Sequence, residues 1–471
     1  MTWALLTPEL AACAWILVML IADLATPPSR KPSLWMLALT GVVICGSFLL
    51  SQQTAGLRGT VQQMLVVDAF SGYFKTLFLL TVGVVIVMTR ESRAHLPANI
   101  GAFYVLLFTA LLGMMVLASM SDLVMLFLGL ELLTFSLYIM AAYLKTDARS
   151  VEAGMKYLIL GSVSSGFLVY GVALLYGFAG TTSFAGLQDA LRAAPATVPA
   201  QAGLLLVLAG LGFKVAAVPF HLWVPDVYEG APTPVVALLS VGSKMAGIVA
   251  MLRLLYGVFL PLHDVWGPLL AILSAATMLY GNLGAIPQTN IKRLLGYSSI
   301  GHAGYLLMGL AAGSVMGREA VGYYLLAYLL SNLAVFLAVV TASDAVGTDA
   351  LEGYRGLSRR SPLLAAVLFL GLLSLAGVPP LAGFVGKLLV LLAGVDSHRL
   401  WLVAIGAVNV AISLYYYLTV VKRMYFDAPS TSAPIRVTPL TTVVLALLAL
   451  GILAVGIVQE PFAALAASAT L

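Results

Sequence analysis

Four ionisable residues sit where a sequence this apolar offers no solvent to hold them. Lys214 lies in LGFKVAAVPFHLWVPD (211–226), Lys244 in SVGSKMAGIV, Lys387 in PPLAGFVGKLL and Glu131 in LGLELLTFS. A charge in hydrocarbon costs roughly 2.5–3.5 kcal/mol on insertion scales, so it is kept only where it faces a paired or wet interior. Such groups can hold, pass and release a proton when water or hydroxyls link them. Glu131 has no cation one turn away on its own helix, so its partner must come from another, and Lys214 is the natural candidate. His221, at the end of the run that holds Lys214, and His302, in SSIGHAGY, can each be an intermediate or an ordinary core histidine. Tyr297, Ser298, Ser299 and Tyr305 can donate hydrogen bonds to water near His302, or simply pack between helices. The tyrosine run 415–417, beside Lys422 and Arg423, reads as an aromatic belt.

No other chemistry is spelled out. The sequence has no GxxxxGK[ST], no GxGxxG between a strand and a helix, no CxxC and no HExxH, so no nucleotide, flavin, iron–sulfur cluster or zinc site is expected in it. Cys13 and Cys45 both fall in apolar runs and read as two small core residues. The net charge of +5 is scattered among loops and gives no nucleic-acid footprint.

What must position these residues is a bundle of membrane helices. The chain has 471 residues, 61% of them hydrophobic and 9% charged, and its mean hydropathy is +1.04. No soluble fold of this length hides so much apolar surface. Apolar runs of about 20 residues fit helices crossing about 30 Å of hydrocarbon and lack the period of barrel strands, so the expected class is all-α and polytopic. About fourteen spans are expected, near 3–24, 34–51, 68–89, 99–118, 121–143, 152–179, 200–222, 230–258, 266–286, 291–312, 319–343, 361–394, 400–424 and 437–459. The first is read as a retained helix, having neither a basic leader nor a small-residue cleavage site. A short interfacial helix is expected at 182–193, before the Pro195–Pro199 break.

Basic residues sort cleanly. Odd-numbered loops hold Arg30, Lys31, Arg90, Arg93, Lys145, Arg149, Lys292, Arg293, Arg355, Arg359, Arg360, Lys422, Arg423 and Arg436, whereas even ones hold only Arg58, Arg192, Arg318 and Arg399. Lys and Arg mark the inner side, which puts both termini outside. Asp226 and Glu229, an acidic exception on that inner side, suggest contact with another protein. Lys75, Lys156 and Arg253 lie near span ends and read as interfacial anchors that snorkel, and Asp68 and Asp122 as helix caps.

Two spans are broken by proline. Pro219 interrupts the seventh beside Lys214, and Gly377, Pro379, Pro380 and Gly383 interrupt the twelfth before Lys387. Irregular backbone at membrane depth survives only beside protein or a polar cavity. Paired breaks at matching positions point to an inverted repeat. The expected organisation is three leading spans (1–98), a five-span repeat (99–258), its inverted counterpart (266–424) and a last span (437–471).

The stretches GFKVAAVPFHLWVPDVYEGAPTPV, SKMAG, NIKRLLGYSSIGHAGY and PPLAGFVGK together resemble the antiporter-like membrane subunits of respiratory complex I, over roughly 99–424. Among three paralogous kinds, the lysine after GFVG, YRGLSRRSP at 354–362 and the short tail after the last span resemble subunit N rather than subunits L or M. The resemblance implies a proton-translocating role in the membrane arm of NADH:quinone oxidoreductase, with Glu131 and Lys214 as a control pair, Lys244 as the central relay and Lys387 as the exit-side site. It also implies a bacterial inner membrane, partner subunits including subunit M, and NADH, FMN, iron–sulfur clusters and quinone carried by those partners. Two rivals stay open: a subunit of an Mrp-type cation/proton antiporter, and a noncatalytic scaffold in a related membrane hydrogenase.

Overall fold

The computed structural model describes residues 2–92, 99–194, 197–429 and 433–469, so Arg93 and Pro195 lie outside the described residues. The first six spans are α1 (Thr7–Ala25), α2 (Leu34–Thr54), α3 (Ala69–Glu91), α4 (Ile100–Ser119), α5 (Leu123–Ala141) and α6 (Ala148–Ala179). A short helix, α7 (Phe184–Ala193), is capped by Ser183, as expected for 182–193. The seventh span is split into α8 (Val198–Val215) and α9 (Val224–Gly230). The eighth runs through α10 (Thr233–Leu238), a π-wound stretch Leu239–Ser243, and α11 (Lys244–Gly257). Then come α12 (His263–Ala285), α13 (Ile291–Ala311), α14 (Val315–Val346) and the short α15 (Leu357–Arg360). The twelfth span is α16 (Pro362–Ala376) plus α17 (Ala382–Asp396), followed by α18 (Leu400–Tyr425), α19 (Pro439–Ile457) and a final α20 (Gln459–Ser468).

Twelve of these stretches are long and apolar enough to cross a membrane. The fourteen expected spans are reached by adding α13, whose Lys292, Arg293, two serines and His302 dilute its hydropathy, and the broken α16–α17 pair. The chain is a polytopic, all-α membrane protein. Among the described residues the one β-sheet is a hairpin, Gly59–Val61 paired with Leu65–Val67, in the connection between α2 and α3.

Burial shows which spans lie at the centre. The most apolar window of the eighth span is 100% buried and that of α14 is 94% buried, against 22% for α1. Around this core α10, α11 and α14 meet α3, α4, α5, α8, α13 and α17, while α1, α2, α18 and α19 turn large apolar side chains outward. The expected caps form. Asp68 closes a capping box with Ser71, and Asp122 accepts from the Val124 amide at 2.7 Å.

Both breaks are built alike. After α8 the chain enters the left-handed region at Ala216, Ala217 donates to Gly212 O at 2.9 Å, and Ala216 to Phe213 O at 3.2 Å. After α16, Gly377 takes the left-handed conformation, Val378 donates to Leu373 O and Gly377 to Ser374 O, both at 3.0 Å. This is the helix stop that satisfies terminal carbonyls by reaching back over the last turn. Pro219 and Pro380 each stand three residues beyond the left-handed residue, so neither segment can resume helix at once.

Two of the three basic residues expected to snorkel do not, whereas the Lys156 side chain stays 42% exposed. Lys75 is fully buried and pairs with Glu9 at 2.5 Å. Arg253 is buried, grips both carboxylate oxygens of Asp68 at 2.8 and 3.0 Å, and donates to Ala118 O at 2.6 Å. Lys156 ties Glu152 at 2.7 Å and Asp226 at 2.6 Å. Position near a span end says how far a side chain could reach, but an acid on a neighbouring helix gives a nearer partner than the headgroups. Asp226 and Glu229 are likewise engaged within the chain, both by Arg293, at 2.8 and 2.9 Å.

Candidate functional site

Three deep lysines lie inside the protein, each 2–3% exposed. Among the described residues none of the three has a carboxylate within 4.0 Å. Their partners are hydroxyls, carbonyls and aromatic faces instead.

Lys214 ends α8 one residue before the break, and its Nζ donates to the Tyr157 hydroxyl at 3.2 Å while sitting 5.4 Å from that ring. Tyr157, on α6, packs edge-on against Tyr138 of α5, with centroids 4.9 Å apart. Glu131 occupies the same helix two turns before Tyr138 and accepts from Ser165 of α6. Glu131 and Lys214 are therefore within electrostatic reach through the α5–α6–α8 corner, but they do not form a direct ion pair.

Lys244 opens α11 immediately after the π-wound stretch, a local rewinding often found at functional positions. Its Nζ donates to both the carbonyl and the hydroxyl of Ser299 on α13 and lies 5.5 Å from the Tyr328 ring. The Ser299 hydroxyl also meets Tyr228 at 2.9 Å and Tyr328 at 3.0 Å, and Tyr328 meets Ser240 at 3.0 Å. α8 and α11 touch at this depth, since a Cβ on Gly247 would stand 3.2 Å from Lys214 Cβ. Trp223 fills the space between the two lysine environments, tilted by 33° against Tyr157 at 4.6 Å and 6.4 Å from Tyr228.

His302, one turn beyond Ser298 on α13, continues the row. Nδ1 meets the Tyr324 hydroxyl at 2.6 Å, Nε2 meets that of Tyr417 at 3.2 Å, and the ring faces Tyr328 at 5.1 Å. The Tyr417 hydroxyl also pairs with Ser298. Tyr324 and Tyr305 are 6.4 Å apart, and Lys387 Nζ lies 5.0 Å from the Tyr305 ring. Lys387 donates to Ala376 O, the last helical carbonyl before the second break, at 2.9 Å and to Ser413 of α18 at 3.4 Å. The broken helix thus exposes an orphan carbonyl to the lysine of its own second half.

The structure therefore brings Lys214, Lys244, His302 and Lys387 onto one buried polar row, with Glu131 at its flank. His221 stands apart. It is 4% exposed, and its ring lies 4.1 Å from that of Tyr280, away from the three lysines' partners. The connecting tyrosines are what the sequence reading missed. Tyr157, Tyr228, Tyr324, Tyr328 and Tyr417 are fully or almost fully buried. For Tyr416 and Tyr417 the reading as an aromatic belt is corrected, because only Tyr415 of the run faces outward, 63% exposed. A helical turn rotates neighbours by about 100°, so one run can supply both a lipid-facing and a core-facing ring.

Residues 120–413 match the family described as NADH:quinone oxidoreductase/Mrp antiporter, TM. NADH-quinone oxidoreductase subunit N of Moorella thermoacetica is 43% identical over 436 residues, 92% of this chain and 91% of that protein. A chain in the structure of respiratory complex I from Thermus thermophilus with bound Aureothin superposes with a TM-score of 0.84 at 31% identity, over 98% of this chain and 99% of that one. A chain of the Mrp complex from Dietzia sp. DQ12-45-1b shares the fold, with a TM-score of 0.85 over 100% and 97% of the two chains, but only 22% identity. By the family match and by identity over nearly the full length, the chain belongs to the subunit N family of NADH-quinone oxidoreductase, within the antiporter-like membrane subunits.

Proposed function

We propose that the chain is a proton-translocating subunit in the membrane arm of NADH:quinone oxidoreductase. The observation that carries this is the buried set itself: among the described residues three lysines have no carboxylate within 4.0 Å and are set against hydroxyls and aromatic faces instead, Lys214 on Tyr157, Lys244 on Ser299 and Tyr328, and Lys387 on Tyr305 and Ser413. Uncompensated ammonium groups at membrane depth are costly to retain, and a proton path is the role that rewards them. Hydroxyls and imidazole between them can donate and accept in turn, as transfer by steps requires.

Glu131 and Lys214 act as the control pair. While the Glu131 charge is near, it favours the proton on Lys214; withdrawing it releases that proton toward Lys244. Lys244 relays through Ser299, Tyr328 and His302, and Lys387 delivers on the exit side. His221 is a further intermediate when water reaches its ring. Two five-span repeats, 99–258 and 266–424, related by inversion, place these groups; the shared stop at Ala216 and at Gly377 supports that arrangement. The redox chemistry, with NADH, FMN, iron–sulfur clusters and quinone, belongs to partner subunits of a hetero-oligomer in a bacterial inner membrane, the termini facing outward.

Replacing Lys244 tests the proposal. In a complex assembled with Lys244→Ala, proton uptake per NADH oxidised should fall by this subunit's whole share, while NADH oxidation by an artificial acceptor is unchanged. Full pumping by that variant would refute the relay.

A further inference from the structure

Beside His302 lies a second buried polar cluster, and this one carries no charge. Asn282 of α12 and Asn409 of α18 are 2% and 0% exposed, and Tyr416 of α18 is 2% exposed. The Asn282 amide nitrogen donates to Met278 O at 2.9 Å and to Asn409 Oδ1 at 3.0 Å, and its Oδ1 accepts from the Tyr416 hydroxyl at 3.0 Å. Asn409 in turn donates to Ile405 O at 2.9 Å.

This arrangement admits one placement of its protons. Met278 O and Ile405 O are carbonyls and only accept, so each amide must turn its nitrogen toward its own helix. Asn409 Oδ1 then receives Asn282, and the single hydroxyl proton of Tyr416 is committed to Asn282 Oδ1. Neither amide titrates, so the cluster keeps its pattern while the lysines and histidine near it gain and lose protons. Losing any member would leave a dry polar group without its partner, which is costly in a low-dielectric interior.

Its position ties it to the relay. A Cβ on Gly281 would stand 2.8 Å from Gly301 Cα, and one on Gly301 would stand 3.0 Å from both Nδ2 and Oδ1 of Asn282. Glycine at both places lets α12 and α13 meet at the backbone and seats the Asn282 amide over the residue before His302. On α18, Gly406, Asn409, Ser413 and Tyr416 recur at steps of three and four and share one face. That face is held to the core by Tyr305, which donates to Gly406 O at 2.8 Å, and by Lys387, which donates to Ser413 at 3.4 Å. Tyr417, next in the chain, turns its hydroxyl to Ser298 and to His302 Nε2 at 3.2 Å, with its ring 4.4 Å from that of Tyr416.

With one proton and two neighbours, the Tyr417 hydroxyl can donate to Ser298 while accepting from His302, or the reverse. Tyr324, on Nδ1, takes the complementary part. Passing a proton through an imidazole uses both states, so it needs this hydroxyl kept within reach of both groups.

We propose that Asn282, Asn409 and Tyr416 are positioning residues of the relay: an uncharged clamp between α12 and α18 that holds the Tyr417 hydroxyl on His302 and Ser298 and carries no proton itself. The inference rests on the relay reading above and deepens it by separating the tyrosine that passes protons from the one that fixes its place.

The test measures proton translocation per NADH oxidised in the assembled complex, above the level of Lys244→Ala, which defines this chain's share. Tyr416→Phe keeps the ring and its packing, and it should lose at least half of that share. Asn409→Leu should lose as much, with NADH oxidation by an artificial acceptor unchanged as the sign of assembly. Tyr417→Phe should lose a similar part and keep a remainder, because Tyr324 still serves His302. Adding Tyr416→Phe to Tyr417→Phe should then cost nothing further, since the clamp acts through that hydroxyl, whereas a merely structural role would add its own loss. Full pumping by Tyr416→Phe or by Tyr417→Phe, or a double variant that falls below Tyr417→Phe, overturns the clamp and leaves the relay standing. If Lys244→Ala itself pumps normally, the relay reading fails and the clamp with it.

Discussion

Tyr328 shows how a single hydroxyl can join two halves of a site. It meets Ser299 and Ser240 at 3.0 Å each, offers its ring to Lys244, and faces His302 at 5.1 Å. Tyr328→Phe keeps the ring and its packing but breaks the link. Ser299 keeps Tyr228 and Lys244 as partners and Ser240 keeps Asn332, so the stability cost should stay at about 1–3 kcal/mol, that of two hydrogen bonds. Pumping should fall by more than half in an assembled complex, and proton yield per NADH measures it. An unchanged yield would mean that water, without this hydroxyl, bridges Lys244 and His302. The lysines were legible in the sequence because a charge in an apolar run is conspicuous. Tyrosine is not, since it suits lipid interfaces, cores and relays equally. Burial alone separates Tyr417 from Tyr415, and two positions in a run do not reveal which way each faces. The same limit hid the acids: Glu9 and Asp68 are far from Lys75 and Arg253 in sequence, and only packing joins them.

The spacing between helices decides whether these side chains meet. Gly171 of α6 lies against α8 so closely that a Cβ would stand 2.7 Å from Gly203 O and 2.8 Å from Val207 N. Small residues of this kind let membrane helices approach at the backbone. They hold α6, with Tyr157, against α8, with Lys214. Gly171→Ala should therefore force α8 outward and cost about 1–3 kcal/mol, as overpacking does. Gly177, six residues on in the same helix, has nothing within 4 Å of where its Cβ would be. Gly177→Ala should be neutral or stabilise by up to about 1 kcal/mol, through helix propensity alone. Thermal unfolding of both variants in detergent tells the two roles apart, and equal losses would show that the close approach is not limiting. Span positions and both proline breaks were readable from hydropathy and from residue type. The π-wound stretch before Lys244 was not, because Leu239–Ser243 has ordinary helical composition and its winding answers to tertiary contacts.

For the molecule as a whole, sidedness gives the polar row its direction. Arg58, next to the hairpin, and Arg359, on α15, are both exposed and belong to opposite sets of loops. In the proposed orientation Arg359 lies on the inner face and Arg58 on the outer one. With a chain whose native cysteines are replaced by alanine, Arg359→Cys should react with an impermeant thiol reagent only in inside-out vesicles, and Arg58→Cys only in right-side-out ones. Neither residue touches the buried row, so pumping should stay at its original level and report correct assembly. The opposite labelling would turn the molecule over and reverse the proposed inner and outer faces. On the relay proposed above, the placement of charge in the loops sets which face each end of the row meets, and this labelling measures that placement directly.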